Sequence, residues 1–195
     1  MSAVRRWSLT TKSIVASPGF FFENFNLRDG YGYPVAYALV SAAVGAVLFG
    51  LVLAVAAAAF GSGGAGTALT AGAVFGAVAF ALSVVGFVTR VLAAHVVVAL
   101  TESGPFVRTL EAFAYPTVAT MALGGVPVVG VVAPLYGYYL QYKGLASFQG
   151  LEQGPAAAAI VVANVVSGVI LTVFVFVVLP LLVAFVGLAA LAALG

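Results

Sequence analysis

The chain has no cysteine, which excludes disulfides, thiolate metal sites and cysteine nucleophiles and leaves its redox compartment unmarked. Charge is almost as scarce. Seven basic and five acidic side chains serve 195 residues, 6% in all, where a soluble protein carries about a quarter. So few charges cannot cover a water-facing surface. The single histidine, with no serine in a glycine-elbow context, leaves no catalytic triad. Gly61 to Gly66 lacks the Lys-Ser/Thr that would follow a phosphate-cradling loop. One histidine and two glutamates on separate segments are too few ligands for a metal site. The net charge of +2 is not drawn into a long basic run, so nucleic acid is not an expected partner. Neither an enzyme nor a cofactor-binding protein is expected.

What remains is hydrocarbon. The chain is 64% hydrophobic with a mean hydropathy of +1.24. The expected fold class is all-α, a polytopic transmembrane helical bundle of about five spans with a cytoplasmic N-terminus, multi-pass in the cell membrane. Two regions are expected, a cytoplasmic segment over 1–33 and a transmembrane helical domain over 34–195. Arg5, Arg6 and Lys12 are followed by the mixed stretch Ser17 to Tyr33, which is not the apolar core of a cleavable signal. In that stretch Phe20, Phe21, Phe22 and Phe25 are candidate interfacial anchors, as an interfacial helix, a docking surface or a plain aromatic belt.

Pro34 to Phe60 is uncharged and apolar, longer than the roughly 20 residues a crossing needs. After Gly61 to Gly66 a second run begins near Ala68 and continues to Leu100. At about 1.5 Å per residue it exceeds the bilayer thickness, so its last three turns should emerge, with Arg90 snorkelling to the headgroups. Thr101 to Pro105 breaks the run. From Phe106 the spacing is helical and two-faced: Phe106, Leu110, Phe113 and Thr117 on one side, Arg108, Glu111 and Tyr115 on the other. Pro116 permits a kink. Ala112 to Tyr142, interrupted by Gly124-Gly125-Val126-Pro127, is short for two crossings, which need about 40 residues. Two short spans, a re-entrant hairpin and one long crossing are the alternatives. Leu145 to Gly154 reads as a polar loop, and Pro155 opens a final span from Ala156 to Leu179. Pro180 breaks it, and Leu181 to Leu194 is too short to cross again. It reads as a tilted continuation or an interfacial end. With five crossings all seven basic residues fall on the cytoplasmic side, which sets the orientation.

Several short motifs recur in a known order. Ser17-Pro18-Gly19-Phe20-Phe21-Phe22 precedes two apolar spans, and a helix carrying His95 leads through a Gly/Pro loop to Phe106-Val107-Arg108-Thr109-Leu110-Glu111-Ala112-Phe113-Ala114-Tyr115-Pro116. A Val-Pro-Val-Val-Gly turn from Val126 to Gly130 follows, and then Tyr136, Tyr139 and Lys143-Gly144-Leu145. From about residue 15 to 185 the order resembles the Yip (Ypt-interacting protein) domain family in its prokaryotic form. The resemblance implies a five-span, all-helical membrane domain with a cytoplasmic N-terminus. Eukaryotic members are associated with Rab-type GTPases and vesicle traffic. This chain lacks their long acidic, Pro-rich head, so the GTPase role is not carried over.

Arg90, His95, Glu102, Arg108, Glu111 and Tyr115 form the candidate contact surface or polar network at the cytoplasmic boundary. They read either as a relay or ion-binding group or as charges that hold the second and third spans together. Asn164 in the last span reads as a substrate-path residue or as a hydrogen bond across a helix interface. Ser41-x-x-x-Gly45 and Gly72-x-x-x-Gly76 permit close packing of the first two spans or of two protomers in a homodimer. The first functional reading is a non-enzymatic membrane domain acting through protein or lipid contacts at its cytoplasmic face. The second is a small transporter or channel-like subunit using His95, Glu102 and Asn164.

Overall fold

The computed structural model describes residues 3–25, 30–61, 64–101, 104–178 and 180–181, and among these all regular structure is helical. Glu102, Arg28 and the segment 182–195 lie outside the described residues. Three helices are long and apolar enough to cross a membrane. The first, α3 (Gly32–Phe60), has 29 residues and stops where Gly61 turns extended. The second, α4 (Ala65–Ala99), has 35. The third begins as α7 (Gln153–Val173) after an extended Glu152, and runs on as a π-helix over Phe174–Val178. Their outer faces expose valine, leucine and phenylalanine, among them Val55, Leu69, Val161 and Val169. Surfaces of that kind suit hydrocarbon rather than water.

The first two long helices form an antiparallel pair in backbone contact. A Cβ on Gly50 would lie 2.6 Å from the Gly72 carbonyl oxygen, and one on Gly76 would lie 3.0 Å from that of Ala46. The small-residue spacing of α4 is thus spent inside the chain, against α3. The other spacing is spent likewise: Ser41 accepts a hydrogen bond from Trp7 Nε1 at 3.0 Å, and Gly45 lies against the Met121 backbone. Toward its end α4 runs beside the start of α3, where Val91 and Leu92 line one apolar cavity with Tyr31 and Val35.

The middle of the chain is a hairpin, and it is not one long crossing. Its first arm is α5 (Phe106–Ala114), which gives way at Tyr115-Pro116 to a π-helical turn over Val118–Ala122 and a 3-10 turn over Leu123–Gly125. Pro116 has no amide hydrogen to give, and its carbonyl accepts from both Ala119 and Thr120. The return arm is α6 (Val129–Gln149), which tolerates Pro134 and ends at Gly150 in the left-handed conformation, φ +67°. Gly137 fits against Thr120 and Gly144 against Ala112, so the arms lie antiparallel. The tip reaches α3 at Gly45 and Phe49, while α3 continues to Phe60.

Every residue from 109 to 119 is buried. The two-faced pattern of α5 therefore does not divide protein from water. Phe113 and Thr117 on one face and Glu111 and Tyr115 on the other are all enclosed. Irregular backbone is tolerated at membrane depth only where protein covers it, and here the irregular turns follow directly on the most enclosed part of the chain.

Two short helices complete the structure. The first, α1 (Ala3–Ala16), turns Trp7, Thr10, Thr11 and Ile14 inward, positions that share one helical face. Trp7 reaches Ser41, Thr10 meets the Tyr33 hydroxyl at 2.6 Å and Thr11 that of Tyr37 at 2.7 Å. The second, α2 (Pro18–Asn24), starts with proline at its first position, where the missing amide costs nothing. Ile14, Phe21 and Phe22 belong to the same buried core as Tyr37, Phe113 and Leu140.

Candidate functional site

The start of α3, the end of α4, the start of α5 and the end of α6 converge at one pole. Tyr31 and His95 both meet the Phe106 ring, at centroid distances of 6.2 and 5.0 Å, the histidine edge-on. His95 Nδ1 lies 2.9 Å from Thr109 Oγ1. Gln149 Nε2 donates to the same hydroxyl at 2.7 Å and to the Pro105 carbonyl at 3.1 Å. Three segments that are distant in sequence are thereby tied through one fully buried threonine. Thr109 accepts from Gln149 and still has its own hydrogen to offer the imidazole, so the ring can meet it as an acceptor.

Other residues expected at this boundary make described contacts of their own. Arg108 Nη1 pairs with Glu111 Oε2 at 2.8 Å, one turn along α5, with the glutamate side chain wholly buried. Arg90 folds back on its own helix, donating from Nε to the Gly86 carbonyl at 3.0 Å. Ser167 of α7 donates to that same carbonyl at 3.2 Å and accepts from Thr89 at 3.0 Å. Glu102 lies outside the described residues. The set thus divides into a His95–Thr109–Gln149 tie, an ion pair within α5, and an Arg90 group that shares the Gly86 carbonyl with α7.

Tyr115 is the hub of an aromatic cluster. Phe25, Tyr37, Phe21, Tyr33 and Phe148 surround it at centroid distances of 4.8, 5.5, 5.6, 6.2 and 6.4 Å. Two expectations are corrected by this arrangement. Glu111 and Tyr115 offer no outward contact surface, because both are fully buried and the aromatic rings of α2, α3 and α6 cover Tyr115. The four phenylalanines are not one interfacial patch either. Phe21 and Phe22 are buried and Phe25 packs on the core, and Phe20 alone is exposed, at 71%. The physical reason is helical spacing: positions 21, 22 and 25 share a face of the turn that Pro18 begins, and 20 points away.

Among the described residues Asn164 bonds within its own helix and not across an interface. Its Nδ2 donates to Ile160 of its own helix at 2.8 Å, and Ser167, one turn on, is the side chain that reaches α4. Thr109 and Gln149 are the functional-site residues that sequence reading missed. Gln149 was taken with a polar loop, yet its place immediately before a glycine that caps α6 is a signal that it closes a helix. Among the described residues no three His, Asp or Glu side chains gather as a metal site would require. No family model matches the chain, and neither a curated protein nor a solved structure matches it.

Proposed function

We propose that this chain is a multi-pass cell-membrane protein of the Yip-like type, with a cytoplasmic N-terminus, three full crossings and a re-entrant middle hairpin. It is non-enzymatic and acts through lipid or protein contacts at the pole where its basic residues gather. One observation carries the reading most: residues 109–119, where α5 gives way to the irregular turn beyond Tyr115-Pro116, are all buried, as broken helical bonding at membrane depth requires. The helices α3, α4 and α7 supply the crossings, and the hairpin re-enters from one side, because its tip stops level with Gly45 and Phe49 while α3 runs on to Phe60; that depth does not support the two short crossings expected from the sequence. Arg6 stacks near Tyr33 in the first turn of α3, which supports the cytoplasmic assignment of that pole by the positive-inside count.

With Glu111 and Tyr115 enclosed, the contact surface is the outer side of α1 and α2, where Arg5, Lys12 and Phe20 are exposed. The transport alternative has less support. Asn164 is bonded within its own helix, and Phe113, Tyr115, Val118 and Met121 fill the interior beyond Thr109.

The cysteine-free chain permits a direct topology test. Single cysteines at Lys12→Cys, Phe60→Cys and Val128→Cys are exposed to a membrane-impermeant maleimide in intact cells and in inverted vesicles. Lys12→Cys should label only from the cytoplasmic side, Phe60→Cys only from the opposite side, and Val128→Cys from neither. Labelling of Val128→Cys from the same side as Phe60→Cys would remove the re-entrant reading in favour of five crossings.

A further inference from the structure

A wedge of about 330 Å³ opens between α1 and the first turns of α3, lined by Arg6, Trp7, Tyr33, Ala36 and Val40 among others. Its two ends differ in chemistry. At one end the Arg6 guanidinium stands 5.6 Å from the centre of the Tyr33 ring, and Tyr33 donates to the Arg6 carbonyl at 3.4 Å. At the other, Ala36, Val40 and the indole of Trp7 give an apolar wall. The indole N–H is already bonded to Ser41, so the ring meets the wedge as hydrocarbon. The charge on α1 has one sign: Arg5, Arg6 and Lys12 are present with no acid, and all three are exposed. Val4, Leu9 and Val15 are exposed on the same helix.

From this combination we infer that the α1–α3 wedge binds an anionic phospholipid, its phosphate headgroup at Arg6 and the first part of an acyl chain against Trp7, Ala36 and Val40. Guanidinium groups match phosphate oxygens in a two-pronged fork. A zwitterionic headgroup brings its own cation to a site that is already cationic and is disfavoured there. Basic groups at an anionic membrane surface each contribute about fivefold to binding. The inference rests on the reading of the chain as a membrane protein with α1 at the bilayer surface, and on neither the number of crossings nor their direction.

Trp7 is the sole tryptophan of the protein and lines the wedge, so its fluorescence reports on the occupant. The full-length chain is reconstituted into phosphatidylcholine nanodiscs that contain a small fraction of lipid brominated on its acyl chains. That lipid is either phosphatidylglycerol or phosphatidylcholine. Brominated phosphatidylglycerol should quench Trp7 at about one fifth of the mole fraction that brominated phosphatidylcholine needs. Arg6→Gln should bring the two lipids close to parity; it leaves the α1 hydrogen bonds intact, because Arg6 meets Tyr33 through its backbone carbonyl. Ala36→Phe, which fills the wedge without changing charge, should weaken quenching by both. Lys143→Gln removes a basic group elsewhere and should keep the preference. Parity in the wild type overturns the inference, and so does equal loss in Arg6→Gln and Lys143→Gln. Abolition of the preference by millimolar glycerol phosphate would assign the site to a soluble anion and overturn it too. Quenching in symmetric nanodiscs is blind to orientation, so a failure here is distinct from a failure of the maleimide test.

Discussion

Thr109→Val is the most informative substitution for the pole. Valine keeps the shape of threonine and removes the oxygen that holds α4 and α6 to α5. Two hydrogen bonds disappear, the 2.7 Å one from Gln149 and the 2.9 Å one to His95. Gln149 keeps the Pro105 carbonyl, so its loss is close to the net value of one bond, about 1 kcal/mol. His95 is half-buried and can recover part of its bond from water, which leaves roughly another 0.5–1 kcal/mol. The sum of about 2 kcal/mol should lower the melting temperature of the detergent-solubilised protein by about 4–8 °C. Thr109→Ser retains the oxygen and gives up one buried methyl, about 0.8 kcal/mol. The expected order in a gel-filtration thermal-stability series is therefore wild type, serine, valine. Gln149→Leu combined with Thr109→Val should cost less than the two singles added, because they share a bond. A valine variant that melts with the wild type, or a serine variant that melts below it, would show that Thr109 is not the tie.

Two further substitutions test the backbone. Val128, at the hairpin tip, has φ 63° and ψ −59° in a γ-turn closed by Val129 N–H to the Pro127 carbonyl at 2.6 Å. A β-branched side chain is strained there, and its side chain is 82% exposed, so Val128→Gly should raise stability by about 1 kcal/mol, read as a rise of a few degrees in melting temperature. Gly50→Leu should do the reverse: its Cβ alone would meet the Gly72 carbonyl, and overpacking should cost about 1–3 kcal/mol. Gly168→Ala, with nothing within 4 Å of the added carbon, is the matched control and should be neutral or slightly stabilising.

Much of the scaffold was legible in the sequence because the membrane imposes a length. The apolar run from Pro34 to Phe60 reappears as α3, the run past Ala68 as α4, and the opening of the last span near Pro155 as α7. The break at Gly104-Pro105 and the irregularity beyond Tyr115-Pro116 were legible for the same local reasons, a missing amide and a permissive turn. The side on which polarity faces was not legible. Periodicity separates polar from apolar positions, and in a bundle a polar stripe can meet other protein as readily as water. Glu111 and Tyr115 were therefore read as outward when both are enclosed. The helix α1 escaped notice because its inner face is Trp7, Thr10, Thr11 and Ile14, which docks by hydrogen bonds and lacks a regular apolar stripe. Thr109 and Gln149 were hidden for a further reason, since only the folded hairpin brings residues forty positions apart within hydrogen-bond reach.

The enclosed arm also bears on how the protein is made. A segment that carries Arg108, Thr109, Glu111 and Tyr115 is a poor independent passenger into hydrocarbon, where ionisable side chains are costly unless protein receives them. The chain order meets this difficulty. By the time α5 is synthesised, α3 and α4 are already available as a paired wall, and α6 follows at once to close the other side. The arm is thus received by protein before it is tested by lipid, and its polarity is admissible because of when it arrives as well as where it ends.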